Sequence, residues 1–142
     1  MDIAERQKDI VNQFLKFETW EEKYRRLIEF GKELPEYPEQ WRNEDHKVKG
    51  CQSQVWLHAD LKDNGTIHFS GDSDALIVKG LVALLIRLYS GATPDQILTT
   101  SPEFVAALDL GAHLSPSRAN GLFAMVKQIK YYAAAYQAVL SR

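Results

Sequence analysis

Between Ala75 and Tyr89 the chain carries Leu76, Ile77, Val78, Leu81, Val82, Leu84, Leu85, Ile86 and Leu88. At helical spacing these residues cover nearly every face, so this helix must lie in the middle of a core with other elements around it. It is not a membrane span. Its most apolar run, Gly80 to Ile86, is bracketed by Lys79 and Arg87 and falls far short of the roughly 20 residues a bilayer requires. Gly80 costs about 1 kcal/mol relative to alanine inside a helix, which points to close packing at that position. Gly71-Asp72-Ser73-Asp74 reads as the turn that opens the helix, with Asp74 a candidate N-cap, and Gly91 closes it.

The elements that could surround this helix follow from pattern. Ile3, Ile10, Val11, Phe14 and Leu15 recur at helical spacing over residues 3–17. Thr19-Trp20-Glu21-Glu22 fits a capping box that opens a second helix, with Trp20, Tyr24, Leu27 and Ile28 on one face and Leu34-Pro35 as its stop. Residues 35–45 read as an ordered loop, with Trp41 as its packing anchor. Val55 to Leu61 alternates at strand period, Asp63-Asn64-Gly65 signals a hairpin, and Thr66 to Ser70 returns with Ile67 and Phe69 inward. His46-Lys47-Val48 is predicted to add a short third strand.

Three helix starts share a Ser/Thr-Pro device: Thr93-Pro94, Ser101-Pro102 and Ser115-Pro116. They are predicted to open helices at 95–99, 102–109 and 116–139. The last has Leu122, Phe123, Met125, Val126, Ile129, Tyr132, Ala133, Tyr136 and Leu140 on its inner face. The expected architecture is one α+β domain over residues 1–142, a small three-stranded antiparallel sheet packed against helices.

The bulk numbers bound the function. The chain has 142 residues and a formal net charge of −2, which gives no argument for nucleic acid or a membrane surface as partner. Met1-Asp2-Ile3-Ala4-Glu5-Arg6 is charged and has no apolar run, unlike a signal peptide. A cytoplasmic location is expected, since a single free thiol survives best in a reducing compartment.

That thiol, Cys51, stands in Val48-Lys49-Gly50-Cys51-Gln52-Ser53-Gln54-Val55-Trp56. A lone cysteine is commonly a small buried hydrophobe. Here Gly50 permits a sharp turn, the flanks are polar, and His46, Lys47 and Lys49 stand close enough in sequence to favour the thiolate. One thiol cannot hold an iron–sulfur cluster or form a CxxC redox pair. His58, His68 and His113 show neither metal-ligand spacing nor an evident pairing with the cysteine. Sulfur transfer through a persulfide needs only one cysteine, exposure and a docking surface.

Arg118 is the second anomaly. With Ser115 as N-cap it is the third helical residue, where an acid is favoured and a cation opposes the helix dipole. Two readings stand: an ion pair with Asp74 or Asp72, or a contact with a partner's carboxylate or a sulfur anion.

The cysteine loop closely resembles that of SufE-type (SufE/CsdE-like) sulfur-acceptor proteins of cysteine desulfuration. The likeness continues in Asn12-Gln13-Phe14-Leu15, Trp20-Glu21-Glu22-Lys23-Tyr24, Gly71-Asp72-Ser73-Asp74-Ala75, Ile77-Val78-Lys79-Gly80-Leu81, Thr93-Pro94, Leu114-Ser115-Pro116-Ser117-Arg118 and Asn120-Gly121-Leu122. The resemblance implies a fold similar to IscU-type scaffold proteins. It implies an acceptor of sulfane sulfur that stimulates a SufS/CsdA-like cysteine desulfurase and delivers sulfur to a SufBCD-like iron–sulfur scaffold. Such a protein is an accessory carrying a covalent persulfide and not a stand-alone enzyme. It needs no cofactor of its own, because the pyridoxal phosphate (PLP) belongs to the desulfurase. Carried onto this chain, Cys51 is the acceptor, Gly50, Gln52 and Ser53 shape its loop, and Asp74 and Arg118 lie near the partner. The competing expectation is a non-catalytic regulatory subunit that activates a desulfurase without carrying sulfur.

Overall fold

The structure, a computed structural model, describes residues 2–142; Met1, the first residue of the charged N-terminal stretch, lies outside the described residues. Seven helices and two strands follow in the order α1 (Ile3–Leu15), α2 (Trp20–Lys32), β1 (Val55–Leu61), β2 (Ile67–Ser73), α3 (Leu76–Tyr89), α4 (Pro94–Leu98), α5 (Phe104–Ala107), α6 (Leu110–His113) and α7 (Pro116–Leu140) among the described residues. Short 3₁₀ turns occupy Glu39–Trp41 and Glu44–His46. The class is α+β, as expected.

Helix α3 is the centre. Val78, Leu81, Val82, Ala83, Leu84, Leu85, Leu88 and Tyr89 are buried in one cluster that also takes in Phe14 of α1, Leu27 and Phe30 of α2, Ile67 and Phe69 of β2 and Met125 and Ile129 of α7. Thr19 and Glu22 form the expected capping box at the head of α2. The glycine in α3 has the predicted purpose: a β-carbon at Gly80 would come within 2.3 Å of the Leu27 carbonyl oxygen, so α2 crosses α3 there at backbone contact.

The sheet has two strands, not three. β1 and β2 pair antiparallel with Val55 opposite Ser73 and Leu61 opposite Ile67. At the hairpin, the Gly65 amide donates to the Lys62 carbonyl at 2.9 Å, with Gly65 at φ 82°. Residues 46–48 contribute only one isolated bridge, Lys47 to Trp56. A 3₁₀ turn runs directly into them on one side, and Gly50 at φ 92° turns the chain away on the other. The outward carbonyls of β1 are satisfied in three ways. Val55 accepts from the Val48 amide at 2.8 Å, Leu57 from the Tyr132 hydroxyl at 2.9 Å and Ala59 from the Tyr136 hydroxyl at 2.7 Å. Helix α7 thus covers an edge that a longer third strand would otherwise have to pair.

Several boundaries move. β2 extends through Gly71, Asp72 and Ser73, which pattern assigns to a turn. Ser101-Pro102 does not cap a helix, since α5 begins at Phe104. Asp109, in the left-handed region at φ 55°, divides the expected 102–109 helix from α6. On α7 the buried stripe is Leu122, Met125, Ile129 and Ala133. Phe123 is 62% exposed and Leu140 51% exposed, so neither belongs to the inner face. A step of one residue turns a helical side chain by about 100°, which takes Phe123 out of the stripe that Leu122 occupies.

Candidate functional site

The cysteine loop is held at both ends. Upstream, Val48 is buried and bonded to Val55. Downstream, the Gln54 amide donates to the Asp74 carboxylate at 3.0 Å, and the Gln54 carbonyl accepts from the Ser73 hydroxyl at 2.8 Å and from the Asp74 amide at 3.2 Å. Asp74 is therefore not the N-cap of α3. That position belongs to Ala75, which makes no side-chain cap bond. Because β2 runs to Ser73, Asp74 emerges one residue too early to cap the helix and ties down the base of the loop instead.

Within the loop Gly50 takes a φ of 92° that side chains rarely adopt, and this turns Cys51 toward the first turns of α7. The thiol is half-buried. Its Sγ donates to the Gly121 carbonyl at 3.6 Å. It lines a cavity of about 300 Å³ with Gln52, Ser53, Val78, Ser115, Ser117, Arg118 and Gly121. Burial pushes the Cys51 thiol above the ordinary cysteine value. The upstream lysines do not oppose this as expected. Lys49 lies 3.1 Å from Glu44 and Lys47 lies 3.9 Å from it, so both ammonium groups are engaged elsewhere. His46 is likewise drawn away, to the Asn43 carboxamide at 2.8 Å.

Arg118 is exposed, and its backbone amide donates to the Ser115 hydroxyl, which confirms Ser115 as the cap of α7. Neither expected ion pair forms. Asp72 is taken by Arg42 at 2.8 Å and by Lys79 at 3.3 Å. Burial raises the Asp72 carboxyl, but the bonds from Arg42, the Ser73 amide and Lys79 outweigh it and hold the group below the usual carboxylate range. Among the described residues no carboxylate lies within 4 Å of the Arg118 guanidinium. The cavity thus has one formal charge on its rim, a cation, at the positive end of a long helix. A thiolate or persulfide anion reaching that rim meets favourable potential, while burial of the thiol favours its neutral form.

The structure brings Cys51, Gln52, Ser53 and Arg118 to one cavity, places Gly50 at its hinge, and puts Asp74 at the base of the loop. Pattern does not identify Val78, Ser117 or Gly121 as walls. Gly121 alone leaves a signal, being a glycine in the interior of a long helix. Trp41 is an anchor as expected, with an unexpected partner. Its ring stacks on His58 at a centroid distance of 3.3 Å, which pins the 38–46 segment to the sheet.

The SufE family model, described as a Fe-S metabolism associated domain, matches residues 8–133. This chain belongs to the SufE family. The matched span contains Cys51 and every residue lining its cavity. The SufE-type assignment made from the loop motif stands, and with it an association with Fe–S metabolism. The fold also matches the solution structure of a hypothetical protein from Thermus thermophilus, with a TM-score of 0.77 and 23% sequence identity over 94% of this chain and 96% of that one. Among the described residues of this SufE-family chain, no helix is long and apolar enough to cross a membrane.

Proposed function

We propose that this SufE-family chain is a sulfur acceptor. Cys51 takes sulfane sulfur from a cysteine desulfurase of the SufS or CsdA type and passes it to an iron–sulfur assembly scaffold of the SufBCD type. The observation that carries the reading is the placement of Cys51. The chain has one cysteine, half-buried over a cavity with a free-standing guanidinium at its rim, on a loop anchored at both ends.

The chemistry balances without an added oxidant. Cys51 gives up its proton to solvent and its thiolate attacks the terminal sulfur of the desulfurase persulfide. A Cys51 sulfur–sulfur bond forms, the desulfurase sulfur–sulfur bond breaks, and the electron pair leaves on the desulfurase cysteine. A nucleophilic thiol on the scaffold then attacks the same terminal sulfur and Cys51 leaves as thiolate. Pyridoxal phosphate acts in the desulfurase alone, and this chain needs no cofactor of its own. Movement of Cys51 from the cavity toward its rim removes the burial that keeps it protonated and brings it beside Arg118. The site of action is the cytoplasm.

Incubation with a cysteine desulfurase and L-cysteine is expected to add the mass of one sulfur to the peptide that contains Cys51. An unmodified Cys51 peptide in a reaction where the desulfurase itself is loaded would overturn the reading.

A further inference from the structure

Gly80 in α3 and Gly121 in α7 each carry a cost of about 1 kcal/mol relative to alanine. Gly80 offsets it by letting α2 approach the backbone of α3. Gly121 serves no such crossing. Its chain neighbours and own helix backbone aside, the heavy atoms that a β-carbon there would meet within 4 Å are both on Cys51: Sγ at 3.4 Å and Cβ at 3.9 Å. The Gly121 carbonyl is also the acceptor for the Cys51 thiol. The position is buried, and the missing side chain is matched to the thiol.

We propose that Gly121 is the positioning residue for Cys51: the space left by its absent side chain is the seat in which the thiol, and the sulfur it carries, rests against α7 out of reach of other reagents between transfers. The inference rests on the acceptor reading for its purpose, though not for its geometry. A bound terminal sulfur would extend about 2.05 Å beyond Sγ, into the cavity of about 300 Å³ that the thiol lines. A methyl group at residue 121 would stand 3.4 Å from Sγ, at the tight limit of ordinary contact, so the partner that yields gives by no more than a few tenths of an ångström. The α7 backbone is fixed by its ladder, whereas Sγ sits at the end of a side chain next to the Gly50 turn. The thiol moves, toward the rim and solvent.

The test is the pH profile of iodoacetamide alkylation on the whole chain, for wild type, Gly121→Ala, Gly121→Ser and, as control, Gly111→Ala, where an added β-carbon has nothing within 4 Å. The wild-type midpoint should lie above the ordinary cysteine value of about 8.5. Both Gly121 variants should shift it downward and raise the rate near neutral pH by about threefold or more, half a pKa unit being about threefold in thiolate. Gly111→Ala should overlay wild type. A merely structural glycine would lower the melting temperature without moving this profile. Overlaying profiles for wild type and Gly121→Ala overturn the inference, and so does a Gly121→Ala chain that does not fold, because the displacement would not then be absorbed by the loop. A second arm separates this idea from the acceptor reading. After loading by desulfurase and L-cysteine, the Gly121→Ala persulfide should be lost to added glutathione faster than the wild-type persulfide. Shifted alkylation with no persulfide on either protein sinks the acceptor reading and keeps the seat; a normal persulfide with an unshifted profile does the reverse.

Discussion

Cys51→Ser is expected to return a stimulated cysteine desulfurase to its unassisted rate while leaving the two proteins able to dock. Serine keeps the shape of the side chain, and its hydroxyl can donate to the Gly121 carbonyl that now accepts from the thiol. The fold should therefore change by no more than about 1 kcal/mol, the scale of one hydrogen bond. The chemistry is lost altogether. A serine hydroxyl is a weak nucleophile without an adjacent base, and the cavity supplies a guanidinium and hydroxyls but no general base. Initial rates of alanine formation from L-cysteine, beside calorimetric binding of the two chains, measure both halves of the expectation. Stimulation that survives Cys51→Ser would favour the competing picture, a regulatory subunit that activates a desulfurase without carrying sulfur.

Gly80→Ala is expected to be the costliest glycine replacement for stability. The new β-carbon would fall 2.3 Å from the Leu27 carbonyl oxygen and 2.8 Å from its carbonyl carbon. Gly31 faces the same crossing, since a β-carbon there would lie 2.9 Å from the Gly80 nitrogen. These neighbours are backbone and cannot rotate away as a side-chain tip can. Relief requires α2 to lift from α3, which loosens the packing of Leu27 and Phe30. Overpacking of this kind costs about 1–3 kcal/mol, and the gain in helix propensity returns about 1 kcal/mol. Because the clash is with backbone, the upper end applies: a net loss of about 2 kcal/mol, or roughly 6 °C in Tm. Urea denaturation and a thermal melt measure it. A variant as stable as wild type would mean that α2 and α3 are not in backbone contact.

Gly80 and Gly121 also mark how far sequence reaches into this protein. Gly80 is readable because its neighbours on α3 are apolar on every side, so close packing is the natural cause. Gly121 carries the same propensity cost, but its reason is a loop seventy residues away in sequence, and helical pattern cannot find that. The same division runs through the chain. The capping box of Thr19 and Glu22, the hairpin at Asp63-Asn64-Gly65 and the turn at Gly50 are local and legible. Asp74 reads as a cap because a carboxylate before an apolar run usually is one; its true partner, the Gln54 amide, depends on how far β2 extends. Asp72 and Arg118 are plausible partners by charge, yet Arg42 reaches Asp72 from another segment. Lys47 and Lys49 stand beside Cys51 in sequence and turn to Glu44 in space. The identity of the thiol is legible from its motif. The cavity that holds it is not, because its walls come from the cysteine loop, α3 and α7.

The most direct test is a single transfer. A desulfurase loaded as its persulfide and freed of L-cysteine is mixed with an equal amount of this chain, and the intact masses of both are followed over time. The account predicts that one sulfur leaves the desulfurase as one sulfur appears on this chain, in step, and that Cys51→Ser leaves it where it was. A persulfide that stays on the desulfurase while the two wild-type proteins are bound to each other would contradict it.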